Sequence, residues 1–325
     1  MKLQILVPQY DETDEVIRPL LDSIAIQQNV DLKNDVGVII TNDGSEVHLS
    51  DSLINNYPFK VEYYLDPHRG VSATRNACLD RATADYVMFC DADDMFYNAC
   101  GLYILFREID HGTFNALTSI FVEETRHPET KEIVYVNHEV DVTFVHGKMY
   151  RRKFLIDNNI RFNPALTIHE DSYFNCLAQK CAGEVKFCAA PFYLWRWRDA
   201  SVCRHDPKYI LKTYNNMLDS STALVNELIT RNKKQDAMFY ATSMIYDAYY
   251  TMNKKEWIDQ ENKEYRDNTE KRFKKYYTDF KGLTDGLDNN IRNQIIVSIR
   301  NRFFQEGMFL ETVTFGDWIK HILSL

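Results

Sequence analysis

The sequence predicts an α/β fold: a Rossmann-like, mixed but mostly parallel sheet flanked by helices, followed by an α-helical C-terminal region. Three observations carry this. Short apolar runs alternate with helix-spaced segments through the first third of the chain, the rhythm of a parallel sheet with helices on its faces. Carboxylates and turn residues follow directly on those runs, at the strand ends where open α/β sheets bind ligands. From about Pro207 the strand-like runs stop and long amphipathic segments take over.

The chain has 325 residues, enough for one large domain or two smaller ones. Hydrophobic residues make up 45% and charged residues 26%, the balance of an ordinary globular protein. A net charge of −9 leaves no electrostatic footprint for nonspecific nucleic-acid binding. Seven cysteines include no C-x-x-C pair, which argues against a zinc site and for free thiols in a reducing compartment. The N-terminal apolar run is short and broken by Pro8, unlike a secretory signal. No run approaches the roughly 20 apolar residues that span a bilayer. These features predict a cytoplasmic protein, soluble or at most peripheral to a membrane.

Residues 3–7 read as a short buried strand that Pro8 stops. Residues 14–28 place Val16, Ile17, Leu20, Leu21, Ile24 and Ala25 at helical spacing. Acidic residues open this helix, where its dipole favours them. Pro19 falls about a turn in and is expected to bend the helix or delay its start. Residues 36–41 form a second strand, ending in the turn sequence Asn42-Asp43-Gly44-Ser45. Residues 61–65 form a third. A loop with Pro67 and Gly70 leads into a helix over 71–83. The apolar run from Tyr86 then ends in Asp91-Ala92-Asp93-Asp94. Its aromatic and β-branched residues suit a strand covered on both faces. Residues 95–110 read as helix. Strands over 117–123 and 133–136 are joined by the turn His127-Pro128-Glu129-Thr130-Lys131. Residues 149–158 and 171–181 read as helices, and 185–195 as a strand. The tail patterns at 208–230, 236–252, 254–281 and 288–304 predict four or five helices. The expected division is therefore 1–206 for the α/β domain and 207–325 for the helical region.

Asp91 and Asp93 are two apart, so on extended backbone both side chains point the same way. Such close carboxylates repel unless a cation lies between them, and hard oxygen ligands suit Mg²⁺ or Mn²⁺ shared with phosphates. Taken singly, each polar stretch also has a structural reading. Asp91-Ala92-Asp93-Asp94 reads as a solvated acidic turn, and Asp43-Gly44 as a turn and nothing more. Gly70 with Ser72 reads as a helix entry, Arg75-Asn76 as helix surface, and Glu170-Asp171 as an acidic first helical turn.

Together and in order, these stretches resemble the family 2 glycosyltransferases of the GT-A fold, of bacterial or phage type. The likeness runs through Val7-Pro8-Gln9-Tyr10-Asp11-Glu12, Asn42-Asp43-Gly44-Ser45, Gly70-Val71-Ser72-Ala73-Thr74-Arg75-Asn76 and Asp91-Ala92-Asp93-Asp94. It continues in the segment from His146 to Arg152, in Ile160-Arg161-Phe162, in Glu170-Asp171 and in the run Tyr193–Arg198 with Ser201. Asp11 stands where the family usually has Asn, and Asn42 where it often has Asp. The resemblance covers roughly residues 1–205 and leaves the helical extension unmatched.

What the resemblance implies is an enzyme, a hexosyltransferase that uses a UDP-sugar as donor with Mn²⁺ or Mg²⁺. Pro8, Tyr10 and Glu12 would line the base and ribose, and Asp43 would accept from the uracil N–H. Arg75 would sit near the base or phosphates, and Arg198 and Arg204 near the diphosphate. Asp93 is the first candidate for direct metal ligation. Asp91 would reach the ribose or a metal-bound water, and His205 would be a third metal ligand. Asp94 is expected to cap the following helix. The acceptor hydroxyl must lose a proton as it attacks, and Asp171 is the candidate base with Glu170 beside it. One base and no evident protein nucleophile imply a single displacement with inversion. The acceptor expected is a glycan or cell-surface polymer; a modified nucleic acid is an alternative that the acidic balance disfavours. The helical tail is read as an acceptor-binding, oligomerising or peripherally associating element. Two other functions compete. A sugar nucleotidyltransferase would need a Gly-rich phosphate loop after the first strand, but no glycine precedes Gly37. An inactive GT-A binding module would not need the carboxylates of both acidic motifs.

Overall fold

The structure is a computed structural model that describes residues 1–139, 141–199, 209–254, 257, 262–305 and 313–325. The chain divides into two compact units, residues 1–201 and 202–325. The strands of the first unit are β1 (Leu3–Gln9), β2 (Val36–Asp43), β3 (Lys60–Asp66), β4 (Tyr86–Phe89), β5 (Met95–Phe96), β6 (Ala116–Arg126), β7 (Ile133–His138), β8 (Lys148–Arg151) and β9 (Val185–Trp195). Its helices are α1 (Asp14–Ala25), α2 (Leu32–Asp35), α3 (Asp51–Ile54), α4 (Val71–Arg81), α5 (Gly101–Asp110), α6 (Arg152–Asp157) and α7 (Glu170–Ala182).

All nine strands join one sheet in the order β3-β2-β1-β4-β8-β6-β9-β5, with β7 added on β6. β1 pairs in parallel with β2 on one side and β4 on the other. β8 is antiparallel to both β4 and β6, and turns a parallel half-sheet into a mixed one. Every residue of β2 is buried, which explains its nearly continuous apolar run. Leu3, Ile5 and Val7 of β1 share a core with Ile17, Leu20, Leu21 and Ile24 of α1. That shared burial makes the helical spacing of α1 productive.

Four local expectations change. β1 does not stop at Pro8 but runs to Gln9, paired with Thr41 and Asn42 of β2. Leu6 O accepts from Cys90 N on the β4 side. By two-residue alternation Pro8 faces that side too, where the ladder has already ended at Phe89. Its missing N–H therefore costs no ladder bond. Helix α1 starts at Asp14 despite Pro19, which lies inside it. Residues 95–110 are not one helix: Met95 and Phe96 form β5 against β9, and the helix begins at Gly101. Residues 149–158 begin as strand β8, and only Arg152–Asp157 is helical. Met149 and Tyr150 are apolar like a helix face, but both are buried between two neighbouring strands.

The second unit has helices at Tyr209–Thr230, Lys234–Met252, Lys263–Thr284, Asn289–Gln305 and Phe315–Ser324 among its described residues. The last of these lies beyond the four patterned segments and makes the fifth of the four or five helices expected. Trp318 in it packs its ring against Tyr249 and Phe273, at centroid distances of 5.5 and 5.0 Å. Asp247 accepts from Tyr214 Oη at 2.9 Å and pairs with Arg302, so the unit's interior carries a satisfied polar group. Among the described residues, no helix is long and apolar enough to cross a membrane.

Candidate active site

Strand order reverses at β1, with β2 on one side and β4 on the other, and the C-terminal ends at such a switch point are where open α/β sheets bind ligands. Tyr10, Asp43 and Asp91 follow or end those three strands. Asp43 is buried and holds the loop before α4. Its Oδ1 accepts from Arg69 N at 2.8 Å and its Oδ2 from Gly70 N at 2.9 Å. His68 Nδ1 lies 3.0 Å from Oδ2. The ring of Tyr10, half exposed, leans on His68 at 5.0 Å. Pro8, half-buried, lies in β1 opposite Thr41 of β2. The turn beside Asp43 requires glycine. Gly44 has φ +77°, and a Cβ there would lie 2.4 Å from His68 N. The obstacle is backbone, which cannot swing aside. Gly44→Ala is therefore expected to destabilise the unit by about 1–3 kcal/mol, read as a lower urea midpoint at unchanged m-value; an unchanged midpoint would contradict this account of the turn.

Arg75 is the hub of the site. It is almost wholly buried, and donates from Nη2 to Asp91 Oδ1 and from Nη1 to Glu170 Oε1, both at 2.8 Å. Burial works against its charge, but Asp91 and Glu170 outweigh that and hold the guanidinium above its ordinary range. Conversely, burial would raise the Asp91 carboxyl, but Arg75 and His146 hold it well below the usual carboxylate range. The neighbouring Asn76 exchanges two bonds with Phe162, Nδ2 to O at 2.8 Å and N to Oδ1 at 2.9 Å. The Arg75-Asn76 pair thus fastens α4 to both β4 and the segment leading to α7.

Glu170 and Asp171 open α7 from His169, which sits in the left-handed region at φ 63°. A non-glycine residue there stores strain that the surrounding contacts must hold. Burial and the adjacent Glu170 push the Asp171 carboxyl up to about 7, against the pull of Arg75. Its pKa is thereby poised for proton transfer near neutrality.

The three carboxylates after β4 differ sharply. Asp94 is buried and caps no helix. Its Oδ2 accepts from Tyr193 Oη at 2.5 Å and its Oδ1 from Arg196 N at 3.0 Å, so it fastens β9 to the end of β4. Burial and the neighbouring Asp93 and Asp91 raise its carboxyl well above the usual range. Asp93 is a third exposed, with Arg198 Nη1 on its Oδ2 at 3.0 Å. Glu12 lies close enough that Asp93 adds to the upward push of burial on its carboxyl. Arg204 and His205 fall outside the described residues.

Three residues of the site carry no assignment in the sequence reading: His146, Tyr193 and Arg196. Asp91, Asp94 and His146 bring ligand-type atoms within 4.8 Å of one another. Asp94 is already committed to Tyr193 and Arg196, and Asp91 to Arg75. Asp93 is about as exposed as Asp91 and pairs with the partly exposed Arg198; its hard oxygens fit a divalent cation. The signal for Tyr193 and Arg196 lay in the Tyr193–Arg198 run, but a strand pattern does not say which strand end it will meet. His146 sits two residues before β8, and its partners come from the residues after β4, the middle of β6 and the end of β9.

A mixed sheet with an acidic crevice at its switch point, closed by an acidic helix start, defines a GT-A transferase domain. Residues 4–164 match the model of glycosyl transferase family 2, and the chain belongs to that family. It is 26% identical over 206 residues to the poly(ribitol-phosphate) β-N-acetylglucosaminyltransferase TarS of Staphylococcus aureus, covering 60% of this chain and 35% of that one. It is 26% identical over 201 residues to a poly(ribitol-phosphate) β-glucosyltransferase of Bacillus spizizenii, covering 58% of this chain and 31% of that one. The chain thus spans about a third of the length of these curated relatives. Its fold is similar to the crystal structure of S. aureus TarS 1–349 in complex with UDP-GlcNAc. There the TM-score is 0.62 at 18% identity, over 96% of this chain and 93% of that one.

Proposed function

We propose that this chain is an inverting, metal-dependent glycosyltransferase. It moves a sugar from a UDP-sugar to a hydroxyl of a glycan or cell-surface polymer. The observation that supports this most is the Arg75 grip on Asp91 and Glu170, which ties the residue after β4 to the start of α7, where Asp171 follows. The relatives support the donor and acceptor. Two are named for β-transfer of N-acetylglucosamine or glucose to poly(ribitol phosphate), and TarS has been crystallised with UDP and with UDP-GlcNAc. A β product is what inversion of an α-linked donor yields.

In this mechanism Tyr10 and Asp43 receive the base, Pro8 and Glu12 line the ribose side, and Asp91 reaches the ribose. Asp93, with Asp91 near it and His205 as a further candidate, would hold Mn²⁺ or Mg²⁺. Such an ion, when bound, offsets the charge that builds on the departing diphosphate. Arg198 adds positive charge on the same side, with Arg204 as a second candidate. Asp171 takes the proton of the acceptor hydroxyl as its oxygen attacks the anomeric carbon, and Glu170 orients beside it. The first unit is the transferase domain; the helical unit is left for acceptor binding, oligomerisation or peripheral association, and the site of action is the cytoplasm.

The direct test is donor screening. UDP release by slow hydrolysis is measured with UDP-glucose, UDP-galactose and their N-acetyl forms. Release is expected from one of the four with Mn²⁺ present, lost with EDTA and restored by Mn²⁺ or Mg²⁺. Silence with all four would remove the donor assignment, and release that survives EDTA would remove the metal.

A further inference from the structure

The geometry points to His146 as the positioning residue for Asp91, a buried imidazole that fixes the carboxylate on which donor binding depends. This rests on the donor reading above and adds a residue to it.

His146 is 4% exposed. Its Nε2 faces two carboxylates, 3.5 Å from Asp91 Oδ2 and 3.7 Å from Asp94 Oδ2. Arg75 holds the other oxygen of Asp91, and Tyr193 Oη and Arg196 N hold Asp94. Asp91 is therefore clamped from two sides, by a guanidinium on Oδ1 and by the imidazole edge on Oδ2. The ring is packed on several sides. It stacks against Phe144 at 5.3 Å and Tyr193 at 4.7 Å, and meets Phe121 edge-on at 5.2 Å. Its backbone is fixed by the following Gly147, at φ +64°, whose carbonyl accepts from both Ser119 N at 2.9 Å and Ser119 Oγ at 3.1 Å.

Packing alone does not explain an imidazole here. Nδ1 is buried with no hydrogen-bond partner. A phenylalanine would keep every ring contact and bury no orphaned nitrogen. What phenylalanine cannot do is turn an N–H toward Asp91 and Asp94. With the hydrogen on Nε2, the ring attracts both carboxylates to one edge and sets the angle of Asp91 at the crevice. Without it, Asp91 answers to Arg75 alone and can swing into the arginine's plane, away from the donor.

The test compares His146→Phe with His146→Gln, whose amide N–H₂ reaches about where Nε2 lies. UDP binding is measured by titration calorimetry with Mn²⁺, beside the melting temperature and UDP release from UDP-GlcNAc. His146→Phe is expected to melt at or above the wild-type temperature and yet bind UDP about tenfold more weakly, the usual cost of losing an outer support. The KM of UDP release should rise more than its kcat falls, and His146→Gln should recover most of the loss. Wild-type UDP affinity in a folded His146→Phe overturns the role. So does a His146→Gln no better than Phe, or a His146→Phe that fails to fold, since the imidazole would then be a requirement of the fold and not a positioning residue for the donor site. A wild-type chain that does not bind UDP removes the donor assignment first, and this role with it; that control separates the two failures.

Discussion

Asp171→Asn is expected to lower transfer by about 10²–10⁴-fold, the typical contribution of a positioned general base, while raising the melting temperature above pH 7. Both effects come from one cause. Burial and the adjacent Glu170 raise the Asp171 carboxyl to about 7, so at pH 8 the folded protein holds a charge there at a cost. The sign follows from proton binding. Between the ordinary carboxylate range and about 7, the folded state keeps a proton that the unfolded chain has lost. Stability from this group is full at low pH and declines as pH rises through that window. Asparagine carries no charge to bury, so the variant escapes the decline. The rate runs the other way, because the base must be unprotonated: wild-type UDP release should climb toward pH 7 and then level. A pH profile of UDP release, taken beside thermal melts at pH 5 and pH 8, checks all three statements. A variant that is inactive and also less stable at pH 8 would point to damaged packing at the start of α7 rather than a lost base.

The sheet was legible because its parallel half is written in apolar runs too long and too β-branched for anything but buried strands, as β2 is. The starts of α1, α4 and α7 and the motif residues were legible too, since each motif sits directly on a strand or helix end. The antiparallel half was less so. Met149 and Tyr150 look like one face of a helix until β4 and β6 are known to flank them. The same limit hid what holds each carboxylate. Spacing sets Asp91, Asp93 and Asp94 side by side, and the different roles expected of them come from the family resemblance. Their environments are set by Arg75, Arg198 and Tyr193, which are distant in the chain. Asp94 was read as a helix cap because residues 95–110 were read as helix; once Met95 and Phe96 pair with β9, it becomes the bolt between two strand ends. Nothing local distinguishes those fates.

Arg75→Ala is expected to cost the first unit about 3–5 kcal/mol, the range for breaking a buried ion pair and leaving its partner charged. Two partners are stranded here: Glu170, with 11% of its side chain exposed, and Asp91, with 33%. The loss should depend on pH in a defined direction. Arg75 and His146 hold the Asp91 carboxyl below its ordinary range in the folded state, against burial. That stabilisation is present above the unfolded carboxylate pKa and fades as pH falls through the folded value. Wild type and Arg75→Ala should therefore differ most at neutral pH and converge below about pH 4, as read from urea midpoints across the range. Arg75→Lys should recover only part of the difference. A single ammonium cannot reach Asp91 and Glu170 in two directions at once, as the planar guanidinium does. The same argument makes Arg75 more than a stabilising residue. Its guanidinium bonds both the residue after β4 and the start of α7, so losing it unlinks Asp91 from the Glu170-Asp171 pair. A stability difference under 1 kcal/mol that does not change with pH would mean the pairs behave as exposed ones do, and that other contacts hold the two acidic motifs together.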